Sequence, residues 1–173
     1  MNEVRSRKVI PFWLVVLACF SLYASLAFSL MEILRLPWRI PMPQDLGLVL
    51  GVLLLAMGFY MYLWSNRSLG LRRALGKELF KSAAESSLII AGIYAHSRNP
   101  MYSSISLLFL GGFCVSRSTP LAMVTIQAII HFVVVAKWEE KELTRRFGKE
   151  YPEYKERVPF FIPSFRNRLA AKR

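Results

Sequence analysis

Residues 46–64 read LGLVLGVLLLAMGFYMYLW, a run without a single formal charge. A helix rises 1.5 Å per residue, so about 20 such residues span a bilayer core of roughly 30 Å. Three further apolar runs flank this one. Residues 10–34 carry Glu32 as their only charge, Met101 to Ser116 is uncharged, and Thr119 to Ala136 is uncharged with Arg117 standing between the last two runs. A soluble fold has no need of four such segments. The reading is an all-α, polytopic membrane protein with about four transmembrane helices, at 10–34, 46–64, 100–116 and 119–138. A loop at 65–99 and a tail at 139–173 complete one integral membrane domain.

Charge supports that count. Of the 23 basic residues, the N-terminal tail holds Arg5, Arg7 and Lys8, the middle loop holds 6 and the C-terminal tail 11, whereas the opposite loops hold only Arg35, Arg39 and Arg117. Lys and Arg collect in cytoplasmic loops near helix ends. Both termini, the middle loop and any site built from them are therefore expected on the cytoplasmic side. The net charge of +12 is explained by this juxtamembrane placement, which also draws anionic lipid. Nucleic acid is not expected as a partner, because no basic face interleaved with aromatics is present. Basic residues before the first apolar run also suit a secretory signal, but the run is longer than a signal core and reads as a retained span. Cys19 and Cys114 lie in separate apolar runs without a disulfide framework or metal-ligand spacing.

Leu36 to Asp45 contains Pro37, Pro41 and Pro43 and reads as a tight connection. Gly47 and Gly51 have the small-xxx-small spacing that lets two membrane helices approach closely. From Ser65 the chain turns basic; Leu71, Leu75 and Leu79 recur among Arg72, Arg73, Lys77 and Lys81, as in a helix lying in the interface. Residues 86–90 then lead, in extended form, into Gly92.

The stretch from Gly92 to Tyr102, GIYAHSRNPMY, sets Tyr94, His96, Arg98, Asn99 and Tyr102 directly before an apolar run. In the last run Gln127 and His131 lie one turn apart, Trp138 shares their face, and Glu139, Glu140 and Glu142 follow at the helix exit. Polar side chains in membrane helices face the protein interior, which makes Gln127 and His131 candidates for a substrate pocket; a histidine satisfied by a neighbouring helix is the plainer reading. The glutamates form either a wall of a site or a solvated face paired with Lys141 and Arg145. Glu142 precedes Arg145 and Arg146 by three and four residues, and Gly148 suits a helix end. Tyr151, Tyr154, Val158, Pro159, Ile162 and Pro163 suggest a tail that docks rather than trails.

No Ser/His/Asp arrangement, phosphate loop, dinucleotide turn or metal-ligand spacing is present, so no residue is assigned a catalytic role. A carboxylate pair opposite a polar, tyrosine-bearing loop suits a cationic or zwitterionic guest beside a lipid-facing cavity. At an effective dielectric of 20 a cation about 4 Å from a carboxylate gains roughly 4 kcal/mol before desolvation. Tyrosine faces add cation–π attraction of about 1 kcal/mol each.

Gly92, Ile93, Tyr94, then Arg98 to Tyr102, Glu139 and Glu140, and Phe147, Gly148, Tyr151, Tyr154, Val158, Pro159 and Pro163 together resemble the C-terminal core of the isoprenylcysteine carboxyl methyltransferase and phospholipid methyltransferase family. The similarity covers about residues 74–163. It implies a small membrane enzyme that takes S-adenosylmethionine from the cytosol and a lipophilic acceptor from the bilayer. By position, Leu88, Ile89 and Tyr94 would line the cofactor site from the loop, Asn99, Pro100, Met101 and Tyr102 would meet the cofactor at a helix start with Arg98 adjacent, and Glu139 would hold it from the last membrane helix. Asn99 stands where the family often has histidine. Val135 stands where the carboxyl methyltransferases have a substrate-binding arginine, so a prenylcysteine carboxylate would lack that counter-charge. Two rival readings are a membrane reductase of the sterol type using NADPH, and a non-catalytic scaffold that binds lipid.

Overall fold

A computed structural model describes residues 12–69 and 88–164, with side chains of the first helix described from Ala18 onward. The helices are α1 (Phe12–Ile33), α2 (Gln44–Leu69), α3 (Pro100–Ser116), α4 (Thr119–Phe147) and α5 (Glu150–Arg157), with a 3-10 turn at Gly92–Ala95 before α3. Among the described residues there is no strand, and the isolated bridge between Arg39 and Ser118 is the nearest approach to one. The leucine-spaced interfacial helix expected around residues 71–81 lies outside the described residues.

Local chemistry sets the helix ends. Pro100 opens α3 at a position where its missing N–H and fixed φ cost nothing. Arg117 closes the same helix in the left-handed region, φ 55°, with its N–H on the Phe113 carbonyl. Thr119 and Pro120 then start α4, which runs unbroken from the last apolar segment through both glutamates to Phe147. Gly148, φ 56°, ends it where the sequence suggests, its N–H bonded to the Thr144 carbonyl.

The glycines of α2 decide how the bundle closes. A Cβ on Gly47 would stand 2.7 Å from the Cys114 carbonyl oxygen, one on Gly51 would stand 2.8 Å from that of Gly111, and one on Gly58 would stand 3.0 Å from that of Ser104. Those pairings run in opposite directions along the two chains, so α2 and α3 are antiparallel with backbones in direct contact. The small-residue spacing read from the sequence is a helix–helix seam.

Helix α4 folds back on α3, as the stacked rings of Tyr102 and Phe132 show. Helix α1 lies against both, with Phe20 stacked on Phe109 and Tyr23 edge-on to His131. At one end of the bundle the connections clasp: Ile40 donates to the Arg117 carbonyl, Thr119 N–H to that of Trp38, and Arg117 Nη1 to that of Met42. The opposite end gathers the polar loop, the exit of α4 and α5.

Helices α2 and α4 are each long and apolar enough to cross a bilayer; α3 and the Ala18–Ile33 part of α1 are apolar but shorter. Leu48, Val52, Leu53 and Phe59 of α2 and Ile126, Ile130 and Val134 of α4 are exposed. That outer surface suits lipid and not water. Trp138 shares the register of Gln127 and His131 but is 70% exposed, contrary to an interior placement. It continues the outward stripe of Ile126, Ile130 and Val134 to the end of the apolar run, where an amphipathic ring fits the membrane boundary.

Candidate cofactor and lipid site

Two segments distant in sequence meet at the polar end of the bundle. Tyr102, in the first turn of α3, donates its hydroxyl to Glu139 Oε1 of α4 at 2.8 Å. Its ring is held at 5.6 Å from that of Phe132. Phe132 and Glu139 are two turns apart on one face of α4, so a single helix face supplies both the stacking surface and the acceptor.

Tyr94 comes to the same place from the 3-10 turn. Its hydroxyl lies 3.1 Å from Ser65 Oγ of α2, and its backbone carbonyl accepts the Tyr154 hydroxyl at 2.6 Å. Burial and the Glu139 charge push the Tyr94 hydroxyl up to about 12, the Ser65 hydrogen bond offsetting part of that rise. Tyr94 therefore stays protonated at any physiological pH and can act as a donor.

Gly92 makes the turn possible. It sits at φ 64°, and a Cβ there would meet Ser68 Oγ at 2.3 Å with Trp64 Nε1 close behind. The end of α2 thus braces the loop, and the Trp64 and His96 rings lie 6.0 Å apart on the same side.

The adjacent glutamates separate. Consecutive helical residues point about 100° apart, and Glu140 turns away from Tyr102 toward the loop and the tail. Its Oε1 lies 3.3 Å from Arg98 Nε and accepts from Asn99 Nδ2 at 3.5 Å, and its Oε2 lies 3.2 Å from Lys155 Nζ. Glu142, by contrast, pairs with Arg145 on an exposed face. Of the three glutamates only Glu142 lies on a solvated face.

The tail docks through its backbone. Arg98 N–H donates to the Pro159 carbonyl at 2.9 Å, Asn99 Nδ2 to that of Phe160 at 3.0 Å, Ser97 Oγ to that of Phe161 at 3.0 Å, and Ser164 N–H to that of His96 at 2.9 Å. Tyr151, Tyr154 and Val158 form a buried cluster packed by Leu88, Leu143 and Phe147. Burial, with the Glu140 charge next, raises the Tyr151 hydroxyl above its ordinary range.

The candidate residues are therefore distributed as follows. Tyr94, Tyr102 and Glu139 converge. Arg98 and Asn99 adjoin them but are tied to Glu140 and the tail, Pro100 is buried at the helix start, Met101 and Ile89 are half-buried nearby in sequence, and the Leu88 side chain packs on the tail cluster. Gln127 and His131 lie deeper, about 18 and 12 Å along α4 from Glu139 at the helical rise. His131 touches Tyr23 at 5.8 Å and Phe132 at 6.0 Å between ring centroids, which links it to Tyr102 through one ring. Gln127 Oε1 is buried without a hydrogen-bond partner among the described residues.

Ser65, Phe132, Lys155 and Phe160 carry no signal in the sequence reading, and Glu140 is named there beside Glu139 without a role of its own. Helical phase at 139 and 140 carried the signal for Glu140; the others act through spatial contacts that spacing does not encode. No group of His, Cys, Asp and Glu able to hold a metal occurs among the described residues.

No curated protein and no solved structure matches the chain. The profile of the phospholipid methyltransferase family matches residues 46–150, which takes in α2, the loop, α3 and the whole of α4 with both glutamates. More than half of the sequence is covered, and the match includes both elements that meet at Tyr102 and Glu139. This chain belongs to the phospholipid methyltransferase family, a family of membrane methyltransferases.

Proposed function

We propose that the protein crosses the membrane four times, keeps both termini and its site on the cytoplasmic face, and transfers a methyl group from S-adenosylmethionine to a lipophilic acceptor, an aminophospholipid being the first candidate. The observation that carries this reading is the Tyr102–Glu139 hydrogen bond at 2.8 Å, which joins the loop-side residues to the exit of α4.

The residues fit the cofactor. Glu139 is an acid at a half-buried position that can accept ribose hydroxyls or face a cation, Tyr94 and Tyr102 offer ring faces and hydroxyls, and Arg98 has a buried Nη1 without a hydrogen-bond partner among the described residues. A nucleoside joined to a zwitterionic amino acid and a sulfonium needs acceptors, aromatic faces and a cation of this kind. S-adenosylmethionine supplies a methyl already activated by the positive sulfur, so the protein's work is alignment and exclusion of water.

Glu139 and Tyr102 would hold the cofactor from two sides, and Leu88, Ile89, Asn99, Pro100 and Met101 would complete the loop wall. An amine acceptor must also lose a proton, which a water held at Glu139 or the imidazole of His131 can take. His131, edge-on to Tyr23 of α1, and Gln127 one turn away would meet the acceptor below the cofactor.

The test supplies labelled S-adenosylmethionine to membranes containing the protein and separates lipid from protein fractions. Label in an aminophospholipid fraction that requires the protein supports the proposal. A melting temperature raised by NADPH and not by S-adenosylhomocysteine would replace it with a reductase.

A further inference from the structure

We propose that Glu140 is a positioning residue: from α4 it sets the orientation of the Arg98 guanidinium and the Asn99 amide toward the cofactor, and ties that orientation to the seating of α5. This rests on the function proposed above and deepens it at the same site.

Three elements meet on one carboxylate. Oε1 faces Arg98 Nε at 3.3 Å and Asn99 Nδ2 at 3.5 Å, both from the segment that leads into α3, and Oε2 faces Lys155 Nζ of α5 at 3.2 Å. The Arg98 and Glu140 side chains are only 8% and 7% exposed. Burying such a pair is a weak source of stability, since desolvation offsets much of the attraction, so its presence calls for another reason.

Geometry supplies one. Glu140 Oε1 lies 3.3 Å from Arg98 Nε as an ion pair outside hydrogen-bond geometry, the Phe160 ring lies 5.7 Å from Cζ, and both Nε and Nη1 are buried without a hydrogen-bond partner among the described residues. The cluster holds two cations, Arg98 and Lys155, against one anion. An anionic group such as the carboxylate of the cofactor's amino-acid end would satisfy the donor at Nη1 and balance the charge. Asn99 is held from both directions, by Glu140 and by the Phe160 carbonyl, so its amide cannot turn freely. Glu139 would touch the cofactor, and its neighbour would aim two of the other residues that do.

The experiment measures S-adenosylhomocysteine affinity by calorimetry, and melting temperature, on the detergent-purified full chain and on Glu140→Asp, Glu140→Gln, Arg98→Lys and the Glu140→Asp/Arg98→Lys double variant. Glu140→Asp keeps the charge that balances buried Arg98 but retracts the carboxylate by one methylene. It is expected to melt within a few degrees of the parent yet to bind about tenfold more weakly, about 1.4 kcal/mol. Glu140→Gln is expected to lose stability as well, and is measured below its own melting temperature. The double variant should bind no more than about twofold more weakly than the worse single variant, because both changes disturb one arrangement.

Parent-like affinity in Glu140→Asp, or losses that multiply in the double variant, would overturn the inference and leave Glu140 a structural tie only. A parent protein that binds no S-adenosylhomocysteine would instead remove the proposed function itself, and this inference with it.

Discussion

Tyr102 and Glu139, 37 positions apart, share a 2.8 Å hydrogen bond at the polar end of the bundle. A neutral donor on a carboxylate contributes about 1.5–3 kcal/mol where it is shielded from water. Tyr102→Phe keeps the ring on Phe132 and removes only the donor, so the melting temperature is expected to fall by several degrees and, measured below it, S-adenosylhomocysteine affinity to fall roughly tenfold. Glu139→Ala is expected to abolish binding. Parent-like calorimetric affinity in the Glu139 variant would take that residue out of the cofactor site.

The seam between α2 and α3 tolerates no side chain at its closest point. A Cβ at position 51 would stand 2.5 Å from Val115 Cγ2, 2.8 Å from the Gly111 carbonyl oxygen and 2.9 Å from the Val115 nitrogen, whereas one at Gly112 would meet only Leu121 Cδ2 at 3.8 Å. Two of the three atoms at Gly51 are backbone and cannot move aside. Overpacking of this kind costs about 1–3 kcal/mol. Thermal unfolding in detergent is expected to show a clear loss for Gly51→Ala and a near-neutral result for Gly112→Ala.

Much of this arrangement was legible in the chain because it rests on residues with special backbones. Pro100 marks the start of α3, Gly148 the end of α4, and the Gly47 and Gly51 spacing marks the seam. Glu139 and Glu140 were harder, since neighbours in sequence fall on different helix faces and the faces acquire meaning only once α3 and α5 are placed. The tail's grip on the loop was illegible in its details. It runs through the carbonyls of Pro159, Phe160 and Phe161, and every residue offers a carbonyl.

Those carbonyls make the tail part of the site. Ending the chain at Arg157 removes the acceptor of Arg98 N–H and one partner each of Asn99 Nδ2 and Ser97 Oγ, together with Val158 from the buried cluster. The contacts between α1, α2, α3 and α4 lie elsewhere and survive. The truncated protein is expected to keep most of its far-ultraviolet helical signal while losing S-adenosylhomocysteine binding; retained binding would show that the tail does not hold the loop.

The proposed orientation of α4 across the membrane has a direct readout. Ser116 and Lys149 are both exposed and lie at opposite ends of α3 and α4. With Cys19 and Cys114 replaced by alanine, a single cysteine at each position is probed with a membrane-impermeant maleimide on sealed vesicles of known orientation. Ser116→Cys is expected to react only from the non-cytoplasmic side and Lys149→Cys only from the cytoplasmic side. Labelling of both from one face would remove the topology.

His131 separates binding from turnover. Its ring lies edge-on to Tyr23 and Phe132, about 12 Å along α4 from Glu139, on a face turned toward α1 rather than toward Tyr102. Among the described residues nothing ties it to the tail or to the loop that would hold the cofactor, so His131→Ala should leave S-adenosylhomocysteine affinity within about twofold, roughly 0.4 kcal/mol. If its imidazole accepts the acceptor's proton, methyl transfer should fall by about 100-fold, in the range that positioned bases contribute. Raising the pH should then restore part of the rate, because a larger fraction of an amine acceptor is already deprotonated. A variant with weakened binding and normal turnover at saturation would assign His131 to packing, and a rate loss insensitive to pH would assign it to placing the acceptor.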